Sequence, residues 1–306
     1  MKRAILIGMI ILLVAGGIYA GTRYLPFPGT AARVATGERI IVQDGDRQIT
    51  YFARGRGPRV MLAASAGREA SDFNELTTRL AAAGYRTLAV EAAGIGGSSM
   101  RIDEPTLIEL ASDLGAVLAH DRALRPQAPD GLARIGHAFG NRLVRVFADT
   151  LASPADAVIL IAAGGQKPIP EAAARHLRLV FDPRRSRAER EIHVREAFFA
   201  DGNEIPEYWM RGWHADAALL QRSAIEREAR KAEGATDWHN AGGAPMLILQ
   251  AEADTVAPRE DAGDELVRRF PEQAEMVIIE NAGHALLPEA PDEITGAIIG
   301  FLNENL

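Results

Sequence analysis

Cysteine is absent from the 306-residue chain. This absence excludes disulfides, thiolate metal sites, cysteine nucleophiles and lipids attached through cysteine. His193 and His214 have no carboxylate or second histidine at the spacing of metal ligands, so the sequence predicts no metal site there. No organic cofactor is expected either.

An excess of positive charge is also missing. The formal net charge is −7, with 34 Lys and Arg against 41 Asp and Glu, which gives no reason to expect nucleic acid as a partner. Apolar residues make up 47% and charged residues 25% of the chain, as in an ordinary globular protein. Its length suits one large domain with an insertion.

Residues 4–20 form an apolar run that follows Lys2 and Arg3. A basic start, a short apolar stretch and small residues at its end are typical of a secretory signal. Two interpretations of residues 1–21 stay open: a cleaved signal peptide, or an uncleaved anchor in the inner membrane through residues 4–20. Both predict an exported globular part, periplasmic or extracellular. Residues 22–37 contain Pro and Gly and are predicted to be a linker.

From residue 38 onward, strand and helix patterns alternate. The sequence predicts strands at 39–42, 48–53, 59–64, 86–91, 132–136, 157–162, 246–250 and 275–280. It predicts helices at 71–83, 104–124, 141–151, 261–270 and 291–302. Such alternation indicates an α/β fold, with a mostly parallel sheet covered by helices on both faces.

The alternation stops over residues 166–240, which are charge-rich and helical in pattern and contain all three tryptophans. We interpret this segment as a helical lid inserted into a core made of residues 38–165 and 241–306. Open α/β sheets place their sites at the carboxyl edge, which such a lid would cover. Trp209 and Trp213 are therefore expected in the lid core or in the wall of a substrate pocket.

The most informative motif is Gly136-His137-Ala138-Phe139-Gly140, which lies between a predicted strand and a predicted helix. A nucleophile elbow has the pattern G-x-S-x-G in this setting, with the serine on a strained turn. The two glycines are needed because side chains there would collide with neighbouring backbone. Alanine stands at the position of the serine.

With this motif, the chain resembles the α/β-hydrolase superfamily, and the resemblance extends over almost everything after residue 38. Residues 91–98, Glu-Ala-Ala-Gly-Ile-Gly-Gly-Ser, are similar to the family's D-x-x-G-x-G-x-S loop, with Glu91 for Asp. Residues 251–258 are similar to its G-x-x-D-x-x-x-P motif, and Gly283-His284 to its G-H motif. The resemblance implies an eight-stranded sheet, Asp254 as the catalytic acid and His284 as the base, with Glu252 as the competitor of Asp254.

The same resemblance implies the remaining site residues. Ser65-Ala66-Gly67 stands where the family has its His-Gly motif, so the N–H groups of Gly67 and Phe139 would form the oxyanion hole. Ser65 and His137 are expected beside the substrate pocket, although His137 also suits a packing role next to the elbow.

Ala138 leaves three hypotheses open. In the first, His284 and Asp254 activate water or abstract a proton from a small acyl or carbonyl substrate, by hydrolysis or lyase chemistry. The elbow is similar to that of aminoacrylate hydrolases, which also have alanine there. In the second, the chain is a pseudoenzyme that binds a small apolar ligand under the lid. In the third, it is an engineered Ser-to-Ala inactive form of a serine esterase.

Overall fold

The computed structural model describes residues 33–150, 155–164, 167–231 and 238–306. The predicted signal or anchor and most of the predicted linker lie outside these residues. Within them, no helix has the length and apolar character needed to cross a membrane.

One sheet of eight strands forms the centre of the fold. The strands are β1 (Glu38–Asp44), β2 (Arg47–Arg54), β3 (Arg59–Ala63), β4 (Arg86–Val90), β5 (Leu132–His137), β6 (Ala157–Ile161), β7 (Met246–Ala251) and β8 (Ala274–Ile279). Their order across the sheet is β1-β2-β4-β3-β5-β6-β7-β8. Only the pairs that involve β2 are antiparallel. The predicted eight-stranded, mostly parallel sheet is confirmed.

Eight α-helices lie in the described residues. They are α1 (Asn74–Ala82), α2 (Leu107–Leu124), α3 (Phe139–Thr150), α4 (Glu171–Val180), α5 (Arg187–Phe198), α6 (Ala215–Lys231), α7 (Gly263–Arg269) and α8 (Pro291–Asn305). Alternate residues of β3 point to opposite faces of the sheet and pack with different helices. Val60 and Leu62 pack with the helices α1 and α8, whereas Met61 and Ala63 pack with α2 and α3. Helices therefore cover both faces of the sheet, as predicted.

Several helix ends differ from the sequence expectation. The helix predicted from residue 104 begins at 107, because Thr106 caps it together with Glu109: the Glu109 carboxylate accepts from the Thr106 N–H at 2.7 Å. Pro105, directly before this capping box, is one reason the helix cannot start earlier. The helix predicted at 71–83 is divided into a 3₁₀ turn at Ala70–Phe73 and α1.

The insertion between β6 and β7 contains α4, α5 and α6. Its apolar side chains form a third core cluster, which includes Val194, Phe198 and Trp209 together with Val256 and Ala285. Since Val256 follows β7 and Ala285 follows β8, the insertion packs on the carboxyl edge of the sheet. This is the edge at which open α/β sheets place their sites.

Candidate active site

Ala138 lies between β5 and α3 in a left-handed backbone conformation, with φ of +48°. Its N–H donates to the Ile161 carbonyl at 2.9 Å, and its own carbonyl accepts from the Asn141 N–H at 3.1 Å. A non-glycine residue at positive φ is strained and persists where the surrounding structure fixes it. The chain thus keeps the elbow, although no nucleophilic atom stands on it.

The two glycines of the elbow are required by close backbone contacts. A Cβ on Gly140 would lie 2.0 Å from the Ala63 carbonyl oxygen, and one on Gly136 would lie 2.4 Å from the Asn141 nitrogen. Both distances are far inside van der Waals contact, so any larger residue would displace β3 or α3. The spacing of the two glycines is therefore a direct consequence of the turn.

The N–H of Phe139 is available at the first position of α3. The first N–H groups of a helix have no partner within the helix, and no described residue accepts from this one. A helix N-terminus also carries partial positive charge. The Phe139 N–H thus has the electrostatic character that an oxyanion donor needs, and its role as one stays a prediction.

Asp254 and His284 form a buried pair after β7 and β8. The Nδ1 atom of His284 is 2.9 Å and 3.0 Å from the two carboxylate oxygens of Asp254. The Asp254 Oδ1 also accepts from the N–H groups of Val256 at 2.9 Å and Ala257 at 2.8 Å. These bonds fix the carboxylate, and the carboxylate in turn holds the His284 proton on Nδ1.

This arrangement leaves Nε2 of His284 as the basic atom. No described residue forms a hydrogen bond with Nε2. Glu252, the alternative acid, instead accepts from the Asn281 N–H at 3.2 Å and is exposed. The structure therefore pairs His284 with Asp254 rather than with Glu252.

His137 lies beneath His284 and not in a pocket. It is completely buried, and its Nε2 is 2.9 Å from the His284 carbonyl oxygen. Burial, followed by the nearby His284, lowers the pKa of His137 to about 3. The ring is consequently neutral, and its Nε2 proton is donated to that carbonyl. Of the two roles considered for His137, the packing role fits this position and the pocket assignment does not, because the ring is buried and supports the backbone of His284.

Glu289 also holds the His284 loop, and sequence reasoning did not single it out. Its Oε2 accepts from the N–H groups of Gly283 at 2.9 Å and Leu286 at 3.2 Å. Its Oε1 accepts from the Ala200 N–H and the Asn203 side chain, both at 2.8 Å. One carboxylate thus joins both sides of His284 to the insertion. Its place five residues after His284 is the only sequence signal for this role.

Replacing Glu289 with alanine should lower both stability and His284-dependent activity. The change removes four hydrogen bonds, and an unpaired buried N–H costs about 1–3 kcal/mol. Denaturant unfolding and steady-state kinetics will measure the two effects, and we expect kcat to fall more than KM rises, because the geometry of the base is disturbed. Glu293→Ala, at an exposed position on α8, is the control. Equal kcat in both variants would contradict a positioning role.

Trp209 and Trp213 belong to one aromatic cluster in the insertion. Trp209 is fully buried, so of the two positions expected for it, the core and the pocket wall, it takes the core. Trp213 is partly buried and donates from its ring nitrogen to the Trp209 carbonyl at 2.7 Å. Phe198 contacts both tryptophans and also His284, with a ring-centroid distance of 5.7 Å to the imidazole. The cluster therefore reaches the base through Phe198.

The loop after β3, residues 64–72, is joined to the insertion by Arg68. Its guanidinium pairs with both carboxylate oxygens of Asp72, at 2.8 Å and 2.6 Å. It also lies 4.6 Å and 4.4 Å from ring centroids of Trp209 and Trp213, within the range of cation–π attraction. The Arg68 side chain thus connects this loop to the aromatic cluster.

The Gly67 amide is already hydrogen-bonded. Its N–H donates to the side-chain oxygen of Gln221 at 2.8 Å, and its carbonyl accepts from the His214 N–H at 2.9 Å. Gly67 has φ of +62°, and a Cβ there would lie 2.7 Å from the Phe181 ring. Ser65 is buried, and its carbonyl accepts from the Arg68 N–H. A substrate oxygen could reach the Gly67 N–H only by displacing Gln221.

A cavity of about 20 Å³ adjoins the elbow, with Phe139, Leu143, Gln221, Ala64, Glu91 and Leu114 among its lining residues. This volume holds about one water molecule. Glu91 is 4% exposed, and its carboxylate accepts from the Ala70 N–H at 3.0 Å. Burial raises the pKa of Glu91 from its ordinary value of 4.5 to about 8.

Glu91 should make the folded state less stable as the pH rises. The folded chain keeps the Glu91 proton up to about pH 8 while the unfolded chain loses it near pH 4.5. The folded state therefore binds more protons between these values, and its stability falls with rising pH by up to about 1.4 kcal/mol per unit. Denaturant unfolding at pH 5 to 8 will measure this slope. Glu91→Gln should flatten it, whereas the exposed Glu275→Gln should not, and equal slopes would contradict the argument.

Comparison with known proteins identifies the family of this chain. The family model described as serine aminopeptidase, S33, matches residues 58–291. The chain belongs to this hydrolase family. The match includes the elbow, Asp254 and His284, and its length covers most of the sheet and the whole insertion. No curated protein matches the sequence.

Solved structures of several hydrolases have the same fold. A membrane phospholipase A is 21% identical with a TM-score of 0.70, and the alignment covers 99% of each chain. An esterase from Thermogutta terrifontis is 20% identical with a TM-score of 0.66, covering 88% of this chain and 99% of the other. An esterase from Exiguobacterium antarcticum is 18% identical with a TM-score of 0.68, covering 88% and 100%. At these identities the likeness shows the α/β-hydrolase fold.

Proposed function

We propose that the chain hydrolyses small activated acyl substrates, such as short esters or carbamates, without a covalent intermediate. The observation that carries the proposal is the buried Asp254–His284 pair, in which Nδ1 is fixed at 2.9 Å and 3.0 Å from the carboxylate and Nε2 stays unpartnered among the described residues. A base oriented in this way has no purpose in packing alone. Ala138 removes the atom that it would otherwise activate.

In this mechanism, water is the nucleophile. The Nε2 atom of His284 takes a proton from water while the water oxygen bonds to the acyl carbon, and the carbonyl electrons move to the oxygen. The Phe139 N–H stabilises that oxyanion. The tetrahedral intermediate then collapses, the bond to the leaving oxygen breaks, and His284 returns its proton to that oxygen. Asp254 stabilises the transient imidazolium.

We further propose that the insertion with α4, α5 and α6 acts as a lid over this site. Phe198 of α5 lies against His284, and the third core cluster covers the residues that follow β7 and β8. A cover of this kind excludes bulk water and strengthens the electrostatic interactions beneath it.

The test is the rate of hydrolysis of short p-nitrophenyl esters and carbamates by the wild type and by His284→Ala. We expect the variant to lose roughly 10²- to 10⁴-fold in kcat/KM, the usual contribution of a positioned base. The same unfolding curve for both chains would show that the fold is kept. Equal rates above the buffer rate would refute the mechanism.

The second candidate is a pseudoenzyme that binds a small apolar ligand. The hydrogen bond from the Gly67 N–H to Gln221 favours it, because this bond occupies one of the two predicted oxyanion donors. A binder should gain thermal stability with a ligand and show no His284-dependent turnover. The ester panel therefore separates the two functions.

A further inference from the structure

Gln221 lies where the insertion meets the loop after β3. It is on α6, is 2% exposed, and shares the 20 Å³ cavity with Phe139. Its Oε1 accepts from the Gly67 N–H at 2.8 Å. A buried amide side chain that is bonded to one predicted oxyanion residue and lines a cavity with the other needs a chemical explanation.

The position of Gln221 is fixed by the start of its helix. The His214 N–H donates to the Gly67 carbonyl at 2.9 Å, and the His214 Nε2 lies 2.7 Å from the Glu69 carboxylate. The Arg68 guanidinium donates to the Arg211 carbonyl at 2.5 Å. These bonds hold the first turn of α6 against the loop that contains Gly67. The Gln221 amide is therefore preorganised rather than free to rotate away.

One end of the amide has a partner among the described residues and the other has none. Oε1 is engaged by the Gly67 N–H, whereas Nε2, with two N–H donors, forms no hydrogen bond with a described residue. An amide whose oxygen accepts a hydrogen bond donates more strongly through its nitrogen. Gln221 and Phe139 both line this cavity, and each has a donor without a described acceptor: Nε2 of Gln221 and the backbone N–H of Phe139.

We propose that Gln221 is a catalytic residue whose Nε2–H replaces the Gly67 N–H as the second donor of the oxyanion hole. Gly67 then acts as a positioning residue, because its amide orients Gln221 and does not touch the substrate. This inference rests on the proposed hydrolysis. A preorganised side-chain donor aimed at the developing oxyanion is worth roughly 10²- to 10³-fold in kcat.

Gln221→Glu is the most informative variant, because it keeps an oxygen for the Gly67 N–H and removes the Nε2 donors. Gln221→Leu removes both ends of the amide at similar volume. We expect each to lower kcat roughly 10²- to 10³-fold with little change in KM. Arg222→Ala is the matched control, since Arg222 is the next residue of α6, its side chain is exposed, and within the part of the chain that the structure describes it pairs with Glu226 alone.

Gln221→Ala tests whether Gln221 donates to the substrate or only occupies the Gly67 N–H. If Gln221 merely blocks the Gly67 N–H, this truncation frees the amide and raises kcat, which would overturn the proposal. Unchanged kcat in Gln221→Glu, with the unfolding midpoint of the wild type, would also overturn it, because the residue would then only support the loop. A loss of kcat in all three variants, with Arg222→Ala unaffected, is the result we expect.

The same series is to be measured in the Ala138→Ser background. If the wild type shows no His284-dependent turnover, the proposed hydrolysis fails on its own, and the serine background still reports whether Gln221 stabilises an oxyanion. If neither background hydrolyses any ester, the oxyanion site does not exist and the inference is rejected as well.

Discussion

Replacing Ala138 with serine is expected to raise ester hydrolysis by at least about 10³-fold and to produce a burst of product. Removal of the serine from a serine protease costs about 10⁶-fold in kcat, so even an imperfect nucleophile should exceed water. The elbow at residue 138 has kept its left-handed conformation, its flanking glycines and the N–H of Phe139. The serine would therefore stand on a turn already shaped for it.

The measurement is pre-steady-state release of p-nitrophenol from p-nitrophenyl acetate, together with the mass of the acetylated chain. Ala162→Ser is the matched control, since Ala162 is another buried alanine at positive φ, directly after β6. It should give no burst. A folded Ala138→Ser chain without an acyl adduct would mean that His284 does not reach residue 138.

Asp254→Asn should reduce turnover almost as far as His284→Ala does, roughly 10²- to 10⁴-fold. Asparagine keeps an oxygen for the N–H groups of Val256 and Ala257, so the turn after β7 should survive. Its amide donates to the imidazole, which moves the ring proton to Nε2 and removes the base.

Glu252→Gln is the control for this change, because Glu252 is a carboxylate of the same motif that bonds to Asn281 and not to His284. Its kcat/KM should equal that of the wild type. Turnover within tenfold of the wild type would contradict the orienting role of Asp254.

Local patterns in the sequence predict much of this site. Gly136 and Gly140 are required by close contacts with the backbone of the elbow itself and of β3. The turn can therefore be inferred from the spacing of the two glycines in the motif. The order of the Asp254 and His284 motifs after two predicted strands places both at one sheet edge, because carboxyl ends of parallel strands share an edge.

Contacts across long sequence separations could not be inferred in this way. Gln221 meets Gly67 across 154 positions, and it lies in an amphipathic helix whose pattern predicts only a solvated face and a packed face. The burial of His137 and Trp209 likewise depends on how the insertion and the His284 loop meet. The start of α2 at residue 107, by contrast, depends on a local signal. The capping box of Thr106 and Glu109 sets it, whereas the apolar pattern alone predicts an earlier start.

If the insertion opens as the proposed lid, the bonds that join the loop after β3 to α6 link substrate entry to the chemistry. Arg68, Glu69 and Gly67 each hold the insertion, so any movement that opens it separates Gln221 from the elbow. The donors around the reacting carbonyl would then assemble only in the closed state, as in induced fit. A molecule too long to be enclosed would be rejected by rate rather than by affinity, since it would bind to an enzyme that cannot complete its oxyanion hole.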